Sequence, residues 1–366
     1  MTTQLRGARQ RADELSGEGG PVRGPLKGYH HDTYVLTLPG ETRIVKVREP
    51  REQILWFDRR CFHSEEDLLR ALQGKVGRIP VIHDVAGMAL QGFIEGRTLK
   101  ARAWGDRRIP EAVLDQLVDL FQEMARITPG MLDVERSCEP EDRAEDGDCD
   151  GFLERLIVFV EDQVYKKNHA DFGKLFEELG IGDEVFVQLR KNVSGLRERD
   201  FCLLHADLHR ENLVLDPLGQ LWAIDWELAM FGDPLYDLAT NLYLMSYPAA
   251  QEGRVAKEWS RAVDRVRPRS TQGWEQDLER LVDFKKAQSV FTDVIRLSLS
   301  LRDGSGINWV KLPSVARKLQ TIIAAAAGPL GLSEAPSRSR IAAALARHIA
   351  KGRASASAHG DREDLF

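Results

Sequence analysis

The densest run of chemically capable residues lies between Phe201 and Ala239. His205-Ala206-Asp207-Leu208-His209-Arg210-Glu211-Asn212 sets two imidazoles, a carboxylate and a carboxamide within eight positions. Two short apolar runs follow, 212–216 and 221–225, around Pro217-Leu218-Gly219-Gln220. They predict a hairpin: with Leu218-Gly219 at the tip, Asp216 faces Leu221 and Asn212 faces Asp225. Opposed side chains in an antiparallel pair have Cβ atoms ~4.5–5.5 Å apart. Oxygens of Asn212 and Asp225 at that separation can grip one hard cation such as Mg²⁺. Asp207, on the approaching loop, is then close to the same cation. A carboxylate beside such a cation is what phosphoryl transfer needs: the metal neutralises phosphate oxygens, and the carboxylate orients an attacking hydroxyl and takes its proton. A second chemistry stays open, because His205, Asp207 and His209 alternate. On a strand they would share one face, as in a metal-dependent hydrolase.

These residues need a scaffold. Residues 1–22 are polar and end in glycines, which predicts a loose tail. Tyr34 to Leu38 and Ile44 to Val47 are β-rich runs around Pro39-Gly40, a second hairpin. The run from Glu52 to Gly74 is charged and helical in period, with Leu68, Leu69 and Leu72 on one face. Short strands are expected near Val81-Ile82 and from Met88 to Ile94. Beyond Gly96 helices dominate: Val113, Leu117, Leu120, Phe121 and Met124 recur at helical spacing, and further patterns cover 151–167, 171–198, 275–301 and 340–350. The aperiodic stretch 133–150 holds nine acids and two bases, Arg136 and Arg143. It reads as a loop, either solvated or attracting a cationic substrate.

The motifs HxDxxxxN at 205–212, Asp225-Trp226-Glu227, Gly232-Asp233-Pro234 and Asp237-Leu238-Ala239 together resemble the core of the aminoglycoside phosphotransferase and choline kinase-like family. The resemblance spans roughly residues 25–300. It implies an α+β, two-lobed protein-kinase-like fold, with a small antiparallel β N-lobe carrying one helix and a larger, mainly helical C-lobe. The chain then divides into a flexible tail (1–22), a nucleotide-binding N-lobe (23–93), a helical C-lobe (94–351) and a second flexible tail (352–366). The C-lobe contains the catalytic loop 205–212 and the metal-binding segment 225–227. Asp207 is implied as catalytic base, and Asn212 and Asp225 as metal ligands. Lys46 in Ile44-Val45-Lys46-Val47 is implied as the strand lysine for the nucleotide phosphates. Glu65 fits the spacing of the helix glutamate that pairs with it, through Leu69 and Leu72. Ser64 reads as an N-cap that puts Glu65 at the helix start, so Glu66 and Glu52 stay open as rivals. Leu90-Gln91-Gly92-Phe93-Ile94-Glu95-Gly96 resembles the hinge, with Gln91 and Phe93 at the nucleotide. Lys27-Gly28-Tyr29-His30-His31-Asp32 stands where the phosphate-covering loop belongs, with Gly28 approaching the phosphates. This loop departs from the usual pattern, having no GxGxxG. His205, Asp233 and Asp237 are assigned to structure, holding the catalytic loop and capping a helix. Glu227 supports the cation from behind.

Composition sets limits on partners. The 366 residues carry 51 Lys plus Arg against 57 Asp plus Glu, a net charge of -6. That balance opposes nucleic-acid binding, which needs a basic surface. No apolar run reaches the ~18 residues of a membrane span. Four scattered cysteines without zinc spacing, and an N-terminus without an apolar signal core, fit a reducing cytoplasm. The expectation is a small-molecule O-phosphotransferase, monomeric or homodimeric, using ATP or GTP with Mg²⁺ on a hydroxylated, neutral or cationic substrate. An antibiotic, in resistance or self-protection, is the first class of acceptor. A metabolic or biosynthetic alcohol, sugar or nucleoside is the second. A kinase-like nucleotide binder without catalysis is the remaining alternative.

Overall fold

The computed structural model describes residues 7–17, 20–26, 31–51, 59–100, 108–303 and 306–360, with 351–360 in main chain alone. Two compact units emerge, residues 1–140 with 199–271 and residues 141–198 with 272–366.

The first unit opens with α1 (Ala8–Ser16), inside the segment expected to be a loose tail. Ala8 and Ala12 are fully buried against Leu36, Leu38, Val45, Val47 and Leu90. The Glu49 carboxylate accepts from the Ala8 N–H at 2.6 Å, satisfying a donor of the first turn. The surface that receives α1 is an antiparallel sheet of β1 (Val22–Leu26), β2 (His31–Thr37), β3 (Ile44–Pro50), β4 (Ile82–Val85) and β5 (Met88–Gly92), ordered β1-β2-β3-β5-β4. Strand alternation buries Val45 and Val47 under α1 and turns Lys46 and Arg48 to the opposite face. Pro25 sits in β1, an edge strand, where a missing donor is tolerated. Among the described residues of the helix expected over 52–74, the helix is α2 (Glu65–Leu72): the Ser64 hydroxyl accepts from Asp67 N–H and caps it. Residues 52–58 lie outside the described residues, and Phe62 instead bridges Arg136. After β6 (Arg97–Thr98), α3 (Glu111–Ala125) buries Val113, Leu114, Leu117, Leu120, Phe121 and Met124, the periodic set.

The second unit receives α4 (Cys149–Phe159), extended by a π-helical stretch to Lys166, then α5 (His169–Glu178) and α6 (Glu184–Val193). The acidic segment that leads into it is partly structural. Asp148 caps α4 by accepting from Gly151 N–H, and Asp150 accepts from the N–H groups of Gly195 and Leu196. Back in the first unit come β7 (Cys202–Leu204), β8 (Leu213–Leu215), β9 (Leu221–Ala223), β10 (Met230–Gly232), α7 (Pro234–Met245) and α8 (Ala249–Asp264). The second unit closes with α9 (Trp274–Leu299), the short hairpin β11 (Arg302–Asp303) and β12 (Gly306–Ile307), α10 (Leu312–Ala326) and α11 (Arg338–Gly360). Helix α11 thus runs into the stretch expected to be a flexible tail. Tyr165, Phe176, Phe186 and Phe291 meet edge-on and stacked in the core of this unit.

The β8–β9 hairpin differs from its expected register by one residue. Leu213 faces Ala223 and Leu215 faces Leu221, so Asn212 is opposite Ile224, not Asp225. Asp216 N–H donates to Gln220 O, leaving a three-residue tip with Gly219 at φ 78°. A glycine in the left-handed region permits this longer loop.

One buried ion pair ties the start of α7 to the residues before β7 in the first unit. Arg199 Nε and Nη2 donate to the two oxygens of Asp233 at 2.8 Å each, and both side chains are wholly buried. Asp233 also caps α7 through Leu235 N–H. Removing one partner of such a pair strands the other charge, at a cost of about 3–5 kcal/mol. Arg199→Met should lower the urea-derived stability by that amount; a loss under about 1 kcal/mol would contradict this role.

Candidate active site

Asp207 follows β7 on a loop that cannot continue the strand. Ala206 has φ 64°, and its N–H and that of His205 donate to the Asp237 carboxylate at 2.8 and 3.0 Å. Asp237, on α7, therefore clamps the loop as expected. His205 Nε2 donates to the Ile224 carbonyl, 3.1 Å away, and the ring packs on the Trp226 indole. Burial above all pushes its pKa down to about 4, so it is neutral at pH 7. The alternating three-ligand face required by the hydrolase reading is absent: β7 ends at Leu204, before His205. Asn241 adds a bond to the Leu208 carbonyl and is itself held by the Tyr247 hydroxyl.

Asn212 is brought to Asp207. Its Nδ2 donates to the Asp207 carboxylate at 3.0 Å and to the Asp207 carbonyl at 3.1 Å. His209 lies 3.4 Å from the same carboxylate. Burial lowers the His209 pKa, but the bond and charge of Asp207 outweigh it and the net shift is upward.

Asp225 belongs to a second group of charges. It adopts φ 67°, a left-handed conformation unusual outside glycine. This turns the chain after β9, so the side chain is aimed by a local bend rather than by hairpin register. Carboxylate oxygens of Glu65, Asp225 and Glu227 come within 4.8 Å of one another. Burial, then repulsion from Glu65 and Glu227, raises the Asp225 carboxyl to about 7 against the pull of Lys46 and Arg48. Glu227 receives Arg60 at 2.8 Å and faces His31 Nδ1 at 3.8 Å.

Glu65 joins the strand face to this segment. It forms an ion pair with Arg48 Nη2, and its Oε1 accepts the Trp226 N–H at 2.8 Å. Burial opposes its charge, yet Arg48, then Lys46 and the Trp226 N–H, hold its pKa down to about 2. The expected partner, Lys46, lies on the same face but makes no ion pair within 4.0 Å among the described residues; Glu65 is nonetheless the chief influence keeping up its pKa, which burial lowers. Arg48 was not singled out from the sequence, although its i+2 spacing from Lys46 marks the shared face. Of the rivals to Glu65, Glu66 bonds Arg48 at 3.0 Å and Gln91 Nε2 at 2.9 Å, and Glu52 lies outside the described residues. The Gln91 side chain thus points to α2. The Phe93 N–H is engaged by the Ile44 carbonyl, and its ring lies under Arg23. Gly28 lies outside the described residues.

With this geometry in view, comparison with known proteins is informative. The model of the phosphotransferase enzyme family (APH) matches residues 21–276. No curated protein matches the sequence significantly. Among solved structures, a choline/ethanolamine kinase family protein from Mesorhizobium loti is similar at 17% identity and TM-score 0.51, over 93% of this chain and 98% of that one. The choline kinase LicA from Streptococcus pneumoniae is similar at 14% and 0.51, over 87% and 98%. The aminoglycoside phosphotransferase APH(2")-IIa in its gentamicin complex is similar at 14% and 0.51, over 92% and 99%. At identities this low, the structural similarity shows a shared kinase-like fold and no more.

Two outcomes follow from the Glu65 tie. The charged form of Glu65 is favoured by folding fully above its ordinary value of 4.5, and this is lost as pH falls toward about 2. Stability of the parent should therefore fall between pH 4.5 and 2 more steeply than that of Glu65→Gln; equal slopes in urea titrations would refute the tie. Arg48→Met should destabilise by about 3–5 kcal/mol, and Lys46→Met by under about 1 kcal/mol; the reverse order would transfer the partnership to Lys46. The family model's match over most of the chain, on a kinase-like fold, identifies this chain as a member of the phosphotransferase enzyme family.

Proposed function

We propose that this protein is a small-molecule O-phosphotransferase that moves the γ-phosphoryl group of ATP to a substrate hydroxyl. The observation carrying the reading is the Asp207–Asn212 hydrogen bond on a loop pinned by Asp237. Asp207 accepts the hydroxyl proton and aligns the oxygen for attack, while Asn212 and His209 fix the carboxylate. Lys46 binds nucleotide phosphate, and Arg48 shares that face of β3. Residues 23–93 form the nucleotide-binding lobe, with the hinge from Gln91 to Phe93 against the base and Gly28 over the phosphates; 94–351 form the lobe that chooses the acceptor.

The donor set suits Mg²⁺. Asn212 and Asp225 would hold it, with Glu227 behind, and all three offer hard oxygens. The close packing of Asp225 with Glu65 and Glu227 is an excess of negative charge that a divalent cation would offset. When bound, the metal neutralises phosphate oxygens as charge moves to the leaving group. ATP is the donor in this reading, with GTP the competing nucleotide in assay.

The acceptor is a small hydroxylated molecule, with a hydroxylated antibiotic as the first class and a metabolic amino alcohol, sugar or nucleoside as the second. Structures of similar fold include both choline kinases and an aminoglycoside phosphotransferase bound to gentamicin. Acids of 133–150 other than Asp148 and Asp150 favour a cationic acceptor. If so, KM for the acceptor should rise with salt, because screening shortens the field to ~10 Å at 0.1 M; a best acceptor without positive charge would remove that argument.

ADP release across a panel of antibiotics, amino alcohols and nucleosides identifies the acceptor. With it, Asp207→Asn should lose ~10²–10⁴ in kcat with nucleotide binding nearly unchanged. Retention of more than about a tenth of kcat would dismiss Asp207 as the base. Asp225→Asn should raise the Mg²⁺ requirement as well as lower kcat. Lys46→Ala should raise KM for ATP; an unchanged KM and kcat would show that Lys46 does not touch the phosphates.

A further inference from the structure

Two cysteines meet beside the helix that carries Glu65. Ser137 N–H donates to the Cys61 carbonyl and His63 N–H to the Glu135 carbonyl, both at 3.1 Å, with Phe62 opposite Arg136 between them. Phe62 packs edge-on to Phe231 at 5.9 Å, and the Arg136 guanidinium lies 4.7 Å over the same ring. Both segments are therefore held at the main chain and at a shared aromatic. Within this clamp the Cys138 thiol donates to the Cys61 carbonyl at 3.8 Å, and it lies near enough to the Cys61 thiol to raise that thiol's pKa. The other cysteines, Cys149 and Cys202, are each 2% exposed.

We propose that Cys61 and Cys138 are a modification site, a dithiol that a hydroperoxide converts into a reversible disulfide. The positions are 77 residues apart in sequence, so the bond would close a long loop. With Cys138 Sγ already at the Cys61 main chain, side-chain rotation brings the sulfurs toward the ~2.05 Å of an S–S bond. The order of events follows from exposure. Cys138 is half-buried and meets the peroxide; Cys61 is buried at 7% exposure. The Cys138 sulfur attacks the peroxide, the O–O bond breaks, and a sulfenic acid forms as an alcohol or water leaves. The Cys61 sulfur then attacks the Cys138 sulfur, its proton leaves with the displaced hydroxide as water, and the S–S bond forms. One hydroperoxide is reduced by two electrons and two thiols are oxidised. The Cys138 thiol and burial both hold the Cys61 thiol protonated, so Cys61 is not the sulfur that meets the peroxide first.

The bond would lie between two ties of the site. Arg60, adjacent to Cys61, donates to Glu227, and Ser64 caps α2. Oxidation would thus fasten the strand-like approach to α2 onto residues 135–138 covalently.

The test uses the full chain treated with hydrogen peroxide, alkylated and mapped by mass spectrometry. A cross-linked Cys61–Cys138 peptide pair should appear, vanish with dithiothreitol and be missing from Cys138→Ser, while Cys149 and Cys202 remain alkylated thiols. The oxidised parent should also gain roughly 5–10 °C in Tm over its reduced form, as expected for a long loop closed without strain. Recovery of Cys138 only as free thiol, sulfinic or sulfonic acid would overturn the proposal. So would a cross-link that leaves Tm unchanged or lowers it, since the reduced geometry would then not be preset for the bond.

Discussion

The side chain of Glu65 is only 2% exposed, so its charge is tolerable only with partners on every side. Arg48 supplies the opposite charge from β3, and Trp226 supplies a backbone N–H from the residue after Asp225. One carboxylate thus links the sheet, α2 and the acidic segment. The arrangement also explains the cations around it. Glu65, Asp225 and Glu227 lie within 4.8 Å of one another, and each would repel the others without Lys46, Arg48 and Arg60. The excess that remains sits on Asp225, whose carboxyl is pushed up to about 7. Such a group, buried and poised, is better suited to taking a cation than to packing.

The other half of the site is built differently, mainly from hydrogen bonds that backbone N–H and carboxamide groups make. Asp237 on α7 holds two consecutive N–H groups of the loop, Asn241 holds a carbonyl, and Asn212 holds the Asp207 side chain. The Asp207 loop is fixed from behind, so its carboxylate has its geometry before any substrate arrives. Asp233 is neutralised in full by Arg199 and contributes position only.

Much of this was legible in the residues themselves. The spacing of Asp207 and Asn212 predicted their meeting, Ser64 marked the start of α2, and the roles of Asp233 and Asp237 as cap and clamp follow from their place at a helix start. Three features were not legible, each for a physical reason. The hairpin register slipped by one because Gly219 in the left-handed region allows a three-residue tip, a choice that the polar run 216–220 leaves open. The aim of Asp225 depends on a positive φ that no residue type announces. Helix α1 escaped because its fully buried apolar residues are Ala8 and Ala12, small in a polar sequence, with Leu15 only partly buried, and the face becomes core only against the sheet. Arg48 was visible in principle, since alternation along β3 puts it on the face of Lys46, but nothing in the residue types says which of the two pairs with Glu65.

The central claim is that Asp225 and Asn212, placed by two independent sets of interactions, serve one metal at a phosphoryl-transfer site. The most direct test is a crystal structure with Mn²⁺ and a non-hydrolysable ATP analogue, located by anomalous scattering. The account predicts a peak bonded to the Asn212 and Asp225 side-chain oxygens and to phosphate oxygens, with the Asp207 carboxylate open to the γ-phosphate. A metal bound elsewhere, or triphosphate lying away from Lys46 and Asp225, would contradict it.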